Sequence, residues 1–381
     1  MSASVNTALV QRRVARRPRV LDLLLFGELS LVVLAYNIYF ILVRPIRGHL
    51  WDFVIFRNAG RRVIEGLSPY PAHATVALLH TRELFVYPPP MASYLFAPFA
   101  ALPLVVAAAV YFVAQLACLF GAIRLLQVRD WRCYTLPFLW LPMFHVLSAG
   151  AIGPLLTLLL AVCWRYRDER PLLAAGALAL AIVAKLFLWP VAIWLLVTRR
   201  WRAAAWAFLF GAAVFLIPFA PLGWHAFAGY PHLLRMLDAA LSASSYSTTA
   251  LLHALGVSPI GATVLLVLAG LLLAAAAFRF GQRGNDAAPF VLAIEAALLL
   301  SPIVWTHYYI LLLVPIAIAR PRLSALWLAP LVFWVTPHLS SSGNVWLIAF
   351  AVSACISICG LATLSLMKRP ASPPIEALAS V

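Results

Sequence analysis

The chain has 381 residues, of which 64% are hydrophobic and only 10% charged, where a soluble domain has about 45–50% and about 25%. So few polar side chains cannot wrap so much apolar surface, which excludes a soluble globular protein, a disordered chain, a coiled coil and a disulfide-stapled module. Twenty-eight lysines and arginines against 12 acids give a net charge of +16; no basic block is long enough to address nucleic acid, and the excess fits the cytoplasmic loops of a polytopic membrane protein.

In chain order, a basic N-terminus (residues 1–20, with Arg12, Arg13, Arg16, Arg17 and Arg19) precedes an apolar run without a small-residue cleavage site, read as a retained first span. Residues 21–367 form one transmembrane domain. Apolar stretches at 21–43, 104–127, 133–148, 151–164, 171–185, 187–197, 203–222, 259–278, 287–302, 305–319, 323–337 and 344–367 predict an all-α bundle of about 12 transmembrane helices. With the N-terminus cytoplasmic, this division puts 20 of the 28 basic residues on the inner side, and every inner loop is basic. Residues 368–381 form a cytoplasmic tail. The large extracytoplasmic loops are then 44–103 and 223–258. The five cysteines lie in apolar stretches and read as small buried hydrophobes.

The same parity has two local consequences. The apolar stretch 87–103 (YPPPMASYLFAPFAALP) does not cross and is expected to be re-entrant or buried beside the first loop. Residues 171–197 cross twice, so two short arms meet near Lys185 at the outer face. All nine histidines fall on that face, which is read as a polar, titratable extracytoplasmic cavity, against interfacial histidines gathered by chance.

The first outer loop, HLWDFVIFRNAGRRVIEGLSPY, has helical periodicity over 52–66, with Phe53, Phe56, Ala59, Gly60 and Val63 on one stripe. Arg57 and Arg61 are four apart, and Gly66 is placed to end the helix. A basic amphipathic helix of this kind lies in the membrane interface and suits lipid phosphates. Asp52 opens it, either as N-cap or as a general base for a sugar hydroxyl. Lys185 is the only lysine within an apolar stretch; it marks a functional site or snorkels to the interface. His307 opens a span beside Tyr308, as a site residue or as part of an interfacial belt. Glu28 and Glu295 read as buried acids in helix–helix contacts. Neither a phosphate-binding glycine loop, nor HExxH, nor a CxxC pair, nor a DxD pair is present. An enzyme on this chain is thus expected to use a lipid-borne donor without a cofactor or tightly held metal.

WDFVIFRNAGRRVIEGLSPY, followed by FVYPPPMASYLFAPFAALP, resembles the opening signature of the polyprenyl-phosphate-mannose-dependent mannosyltransferases, glycosyltransferase family 87. AAGALALAIVAKLFLWPVAIWLLVTRRWRAAAWA and LLLSPIVWTHYYILLLVP are similar to later segments of that family, in the same order. The resemblance implies a GT-C membrane fold and an extracytoplasmic active site. It implies transfer of mannose from a polyprenyl-phosphate sugar donor to a glycolipid or glycan acceptor, with inversion. It assigns the base to Asp52 and carries the late histidine to His307. Lys185, His307, an arginine from Arg57 or Arg61, and Tyr87 are then the candidates for holding the donor. The chain departs from the family pattern at Gly150-Ala151-Ile152-Gly153, at Ser244-Ser245-Tyr246-Ser247 and at Lys185-Leu186. The competing class is a lipid-linked sugar flippase or secondary transporter, for which broken spans near Lys185 are also suited.

Overall fold

The computed structural model describes residues 20–43, 49–71 and 75–368. The basic N-terminal segment, Arg44, His73, Arg369 and the rest of the tail lie outside the described residues. Among those described, the fold is helical without strands. Five helices are long and apolar enough to cross a bilayer: Val20–Tyr39, Leu104–Leu125, Trp201–Leu222, Pro259–Gln282 and Val345–Met367. The number becomes six if Leu141–Ala149 and Gly153–Tyr166, which meet at 116°, count as one broken span.

The remaining apolar stretches are helical but short: Pro171–Ala184, Leu186–Val197, Ala287–Leu299, Thr306–Ala319 and Ala325–Val335. Fourteen residues rise about 21 Å, less than the roughly 30 Å of hydrocarbon. Hydropathy thus finds each segment and overstates its reach, because prolines and turns interrupt the helices. The 133–148 stretch shows the cause: Pro137 sits in a tight Leu136–Leu139 turn, and a new helix begins only after Trp140.

Side-chain exposure agrees with a bilayer as solvent. Ile260, Leu272 and Phe208 are 79%, 72% and 74% exposed, a pattern stable only against lipid. The interior holds three fully buried tryptophans, Trp140, Trp194 and Trp327. Their indole N–H groups donate to the carbonyls of Trp327, Asp286 and Arg320, at 3.1, 3.0 and 2.7 Å. Four of the five cysteines are buried and Cys118 is half-buried. Of the two acids expected inside, Glu295 is buried and Glu28 is exposed.

The first-loop helix is Trp51–Ile64. Phe53, Phe56, Ala59 and Gly60 are buried on the expected stripe, and Leu67 N–H closes on Arg62 O at 2.7 Å across Gly66, whose φ is +72°. The N-cap is Leu50, not Asp52: Leu50 has φ 55° and its N–H donates to Ser148 O at 2.6 Å. Asp52 is the second residue of the helix, in its first turn, and no side-chain cap bond forms. The segment after Tyr87 folds as a short apolar helix, Met91–Ala100, against this stripe.

The two helices touch at Gly60. A Cβ there would sit 2.7 Å from the carbonyl carbon of Phe96 and 2.8 Å from Ala97 N. Both contacts are backbone, so Gly60→Ala has to push the helices apart, at a cost of about 1–3 kcal/mol read as a lower Tm. Gly229→Ala, where a Cβ meets nothing within 4 Å, is expected to be neutral or stabilising. Equal destabilisation by both substitutions would contradict this packing.

The helices Gly153–Tyr166, Ala287–Leu299 and Thr306–Ala319 run between two ends of the bundle. Gly153, Lys185 and His307 gather at one end, whereas Trp164, Arg167, Ala287, Ile318 and Arg322 gather at the other. The site therefore lies where Pro171–Ala184 stops and Leu186–Val197 begins.

Candidate active site

Lys185 breaks the helix because its backbone is extended (φ −145°, ψ 100°). The chain then makes one tight turn, Leu186–Leu188, before turning back. This break leaves the ammonium group inside the protein, 6% exposed, and not snorkelled to the surface. Two phenols receive it. Nζ donates to Tyr308 Oη at 2.5 Å and to Tyr87 Oη at 3.3 Å. It also lies 4.1 and 4.8 Å from the centroids of the same two rings. Ring faces and phenol oxygens stabilise a desolvated cation without neutralising it. Tyr308 is held in turn by stacking on Phe187, centroids 5.0 Å apart.

His307 is the second residue of the Thr306–Leu312 helical segment, which follows a 301–305 connection that the neighbouring loops pin in place. Tyr246 N–H donates to Val304 O at 2.7 Å and Thr306 Oγ1 to His338 O at 2.9 Å. His307 is 3% exposed, so it is an interior residue and not part of an interfacial belt. Neither of its ring nitrogens has a hydrogen-bond partner. Nε2 stands 3.9 Å from Asp52 Oδ2, too far for a hydrogen bond. Buried polar atoms left unpaired are costly, and where they face a cavity they are suited to a ligand.

Asp52, carried in the first turn of the Trp51–Ile64 helix, faces the same space. Burial raises its carboxyl to about 6, and the Lys185 ammonium opposes that rise. Asp52, Tyr87, Lys185, His307 and Tyr308 line one cavity of about 570 Å³, within the range of about 300–1,000 Å³ that holds small ligands. Trp51, Trp189 and Trp305 line it as well, offering flat apolar faces.

The two arginines are not brought into this cavity. Arg57 is buried and donates to Leu102 O at 2.7 Å, fastening the first-loop helix to the chain beyond Phe99. Arg61 is exposed. The departures at 244–247 are also internal. Ser245 Oγ donates to Ser247 Oγ at 2.9 Å, Ser247 caps Thr248–Ala254, and Tyr246 Oη donates to His338 O at 3.2 Å.

Tyr308 and Asp238 line the cavity and were not among the sequence candidates. Tyr308 was hidden beside His307. Asp238 lines the cavity with Oδ1 buried and unpaired. It belongs to a stripe of the Trp224–Leu241 helix, in which Tyr230, Leu234, Leu237 and Leu241 face the same space. A carboxylate on an otherwise apolar stripe is the signal that could have found it. The 223–258 loop is accordingly mostly helix.

A carboxylate, a phenol-bound ammonium and an unpaired imidazole around one recess suit proton removal from a hydroxyl beside a developing anion. Comparison with curated proteins and with solved structures gives no match. A family model, Glycosyltransferase family 87, matches residues 85–304, more than half of the chain, and takes in Tyr87, Lys185 and Asp238. Asp52 and His307 lie outside the matched range and enter the site by geometry alone. Of the two classes open from the sequence, transport and transfer, the match carries transfer: this chain is a membrane glycosyltransferase belonging to glycosyltransferase family 87.

Proposed function

We propose that the protein is an inverting transferase that moves a mannosyl or related hexosyl unit from a polyprenyl-phosphate sugar to a glycolipid or glycan acceptor. The observation that carries the lipid-borne donor is a continuity of cavities. The 570 Å³ recess shares Trp189 and Leu300 with an apolar groove of about 400 Å³. That groove runs between Leu186–Val197, Pro259–Gln282 and Ala287–Leu299 and is lined by Leu266, Val267 and Leu271. A polar head beside Lys185 and an isoprenoid tail in the groove match this division of chemistry. A soluble sugar nucleotide would leave the groove empty.

The reaction is one displacement. The acceptor hydroxyl gives its proton to Asp52, its oxygen forms the new bond to the anomeric carbon, and the bond from that carbon to the phosphate oxygen breaks on the opposite face. The electron pair leaves with the lipid phosphate, beside the Lys185 ammonium. His307 donates a hydrogen bond to the phosphate or the sugar from one of its two ring nitrogens, neither of which has a protein partner. Asp238 accepts from a further sugar hydroxyl.

A GT-C-type bundle of about 12 transmembrane segments, several of them short and broken, with both termini cytoplasmic and the first-loop helix lying in the outer interface, fits this chemistry. It sets the active site extracytoplasmic and the basic loops inside. Two measurements test the reading. Membranes holding the protein, given a radiolabelled polyprenyl-phosphate hexose, are expected to label a lipid or glycan product; label passing into no acceptor would sink the proposal. Cysteines at Ser68 and Arg170 are expected to react with an impermeant thiol reagent from opposite sides, over a low background from the native cysteines. Reaction of both from one side would overturn the topology.

A further inference from the structure

A second polar cavity, of about 730 Å³, lies at the opposite end of the bundle from the active site. Four arginines face it: Arg129, Arg165, Arg167 and Arg322, against two carboxylates, Asp168 and Glu169. Both carboxylates are already engaged. Glu169 Oε1 accepts from Arg165 at 2.7 Å. Asp168 accepts from Arg200 at 2.6 Å and lies 3.3 Å from Arg167. Arg129 and Arg322 are exposed and have no acidic partner among the described residues.

The positive-inside rule accounts for basic residues in these loops. It does not account for their meeting in one recess from three separate connections. The Arg167 guanidinium is also fixed in place. It lies 3.9 Å over the Trp164 ring, and its Nη1 donates to Trp164 O at 2.7 Å. The remaining wall is apolar, from Leu125, Leu126, Ala317, Ile318 and Leu366, where the Leu104–Leu125, Thr306–Ala319 and Val345–Met367 helices end. A cationic recess with an apolar wall at a helix end fits a group that is anionic at one end and greasy at the other.

We propose that this cavity binds the phosphate headgroup of an anionic membrane lipid, with Arg129 and Arg322 contacting the phosphate and the acyl chains leaving along the apolar wall. The assignment does not depend on the donor chemistry at the other end.

The test uses the full-length protein in nanodiscs of phosphatidylcholine with a minor share of phosphatidylglycerol, extracted into mild detergent and examined by native mass spectrometry. Wild-type protein is expected to retain one phosphatidylglycerol in preference to phosphatidylcholine. The double variant Arg129→Gln, Arg322→Gln is expected to lose that preference by about tenfold or more, with Tm unchanged because both side chains are exposed. The control Arg279→Gln, Arg283→Gln removes the same charge from residues that do not line the cavity. It is expected to retain the lipid. Equal losses in both variants, or none in the first, would overturn the site. Displacement of the lipid by glycerol 3-phosphate at matching concentration would overturn the lipid assignment in favour of a free phosphate.

Discussion

Asp52→Asn is expected to give a folded protein that binds donor and transfers sugar at least about 10²-fold more slowly. The substitution keeps the size of the side chain and removes its basicity. It also leaves the helix start alone, because Leu50 holds the cap position and Asp52 makes no capping bond. The direction of the stability change follows from linkage. Burial raises the Asp52 carboxyl from 3.8 to about 6. Its favourable contribution is therefore fully present below about 3.8 and is lost as pH rises through about 6. At pH 7 the group is ionised in a site that disfavours the charge, so the neutral amide should leave Tm unchanged or raise it. The wild-type activity has the opposite pH dependence: a base must be ionised, so kcat/KM should rise from pH 5 to 7 with an inflection near 6. Full transferase activity in a folded Asp52→Asn protein would end the assignment.

Lys185→Met is expected to lower turnover by about 10²–10³-fold, the usual loss when a preorganised charge at a developing anion is removed. Met fills a similar volume and leaves no charge between the Tyr87 and Tyr308 rings. The pH profile gives a second, independent reading. The Lys185 ammonium holds the Asp52 carboxyl below where burial alone would set it, so its removal should move the inflection to higher pH. A lysine that only anchors the chain at the interface would change neither rate nor inflection. Tyr308→Phe, which removes one of the two phenol oxygens accepting from Nζ, is expected to give a smaller loss in the same direction. A Lys185→Met protein with wild-type turnover would leave the leaving phosphate without its cation.

The first-loop helix shows how far local pattern reaches. Its stripe, its closing glycine and its packing partner at 91–100 were legible, because burial of one helix face imposes a 3.6-residue period on the sequence. Which side chain caps it was not legible. Aspartate is a good N-cap by propensity, but the Leu50 N–H is taken by Ser148 O, a residue almost a hundred positions away. The same long-range packing turns Arg57 towards Leu102 O and away from the cavity, although spacing alone pairs it with Arg61. Tyr308 and Asp238 were missed for the converse reason: each looks ordinary among its chain neighbours.

By itself the sequence determined the solvent of this protein, the order of its apolar segments and the break at Lys185. These follow from composition and short-range periodicity, which a bilayer enforces on every segment separately. Only the tertiary structure decided how long each helix runs, that Asp52 and His307 stand 3.9 Å apart, and that the Lys185 ammonium is enclosed by two phenols. Those facts depend on contacts between residues up to 255 positions apart in the numbering, and no local pattern encodes a distance across the bundle.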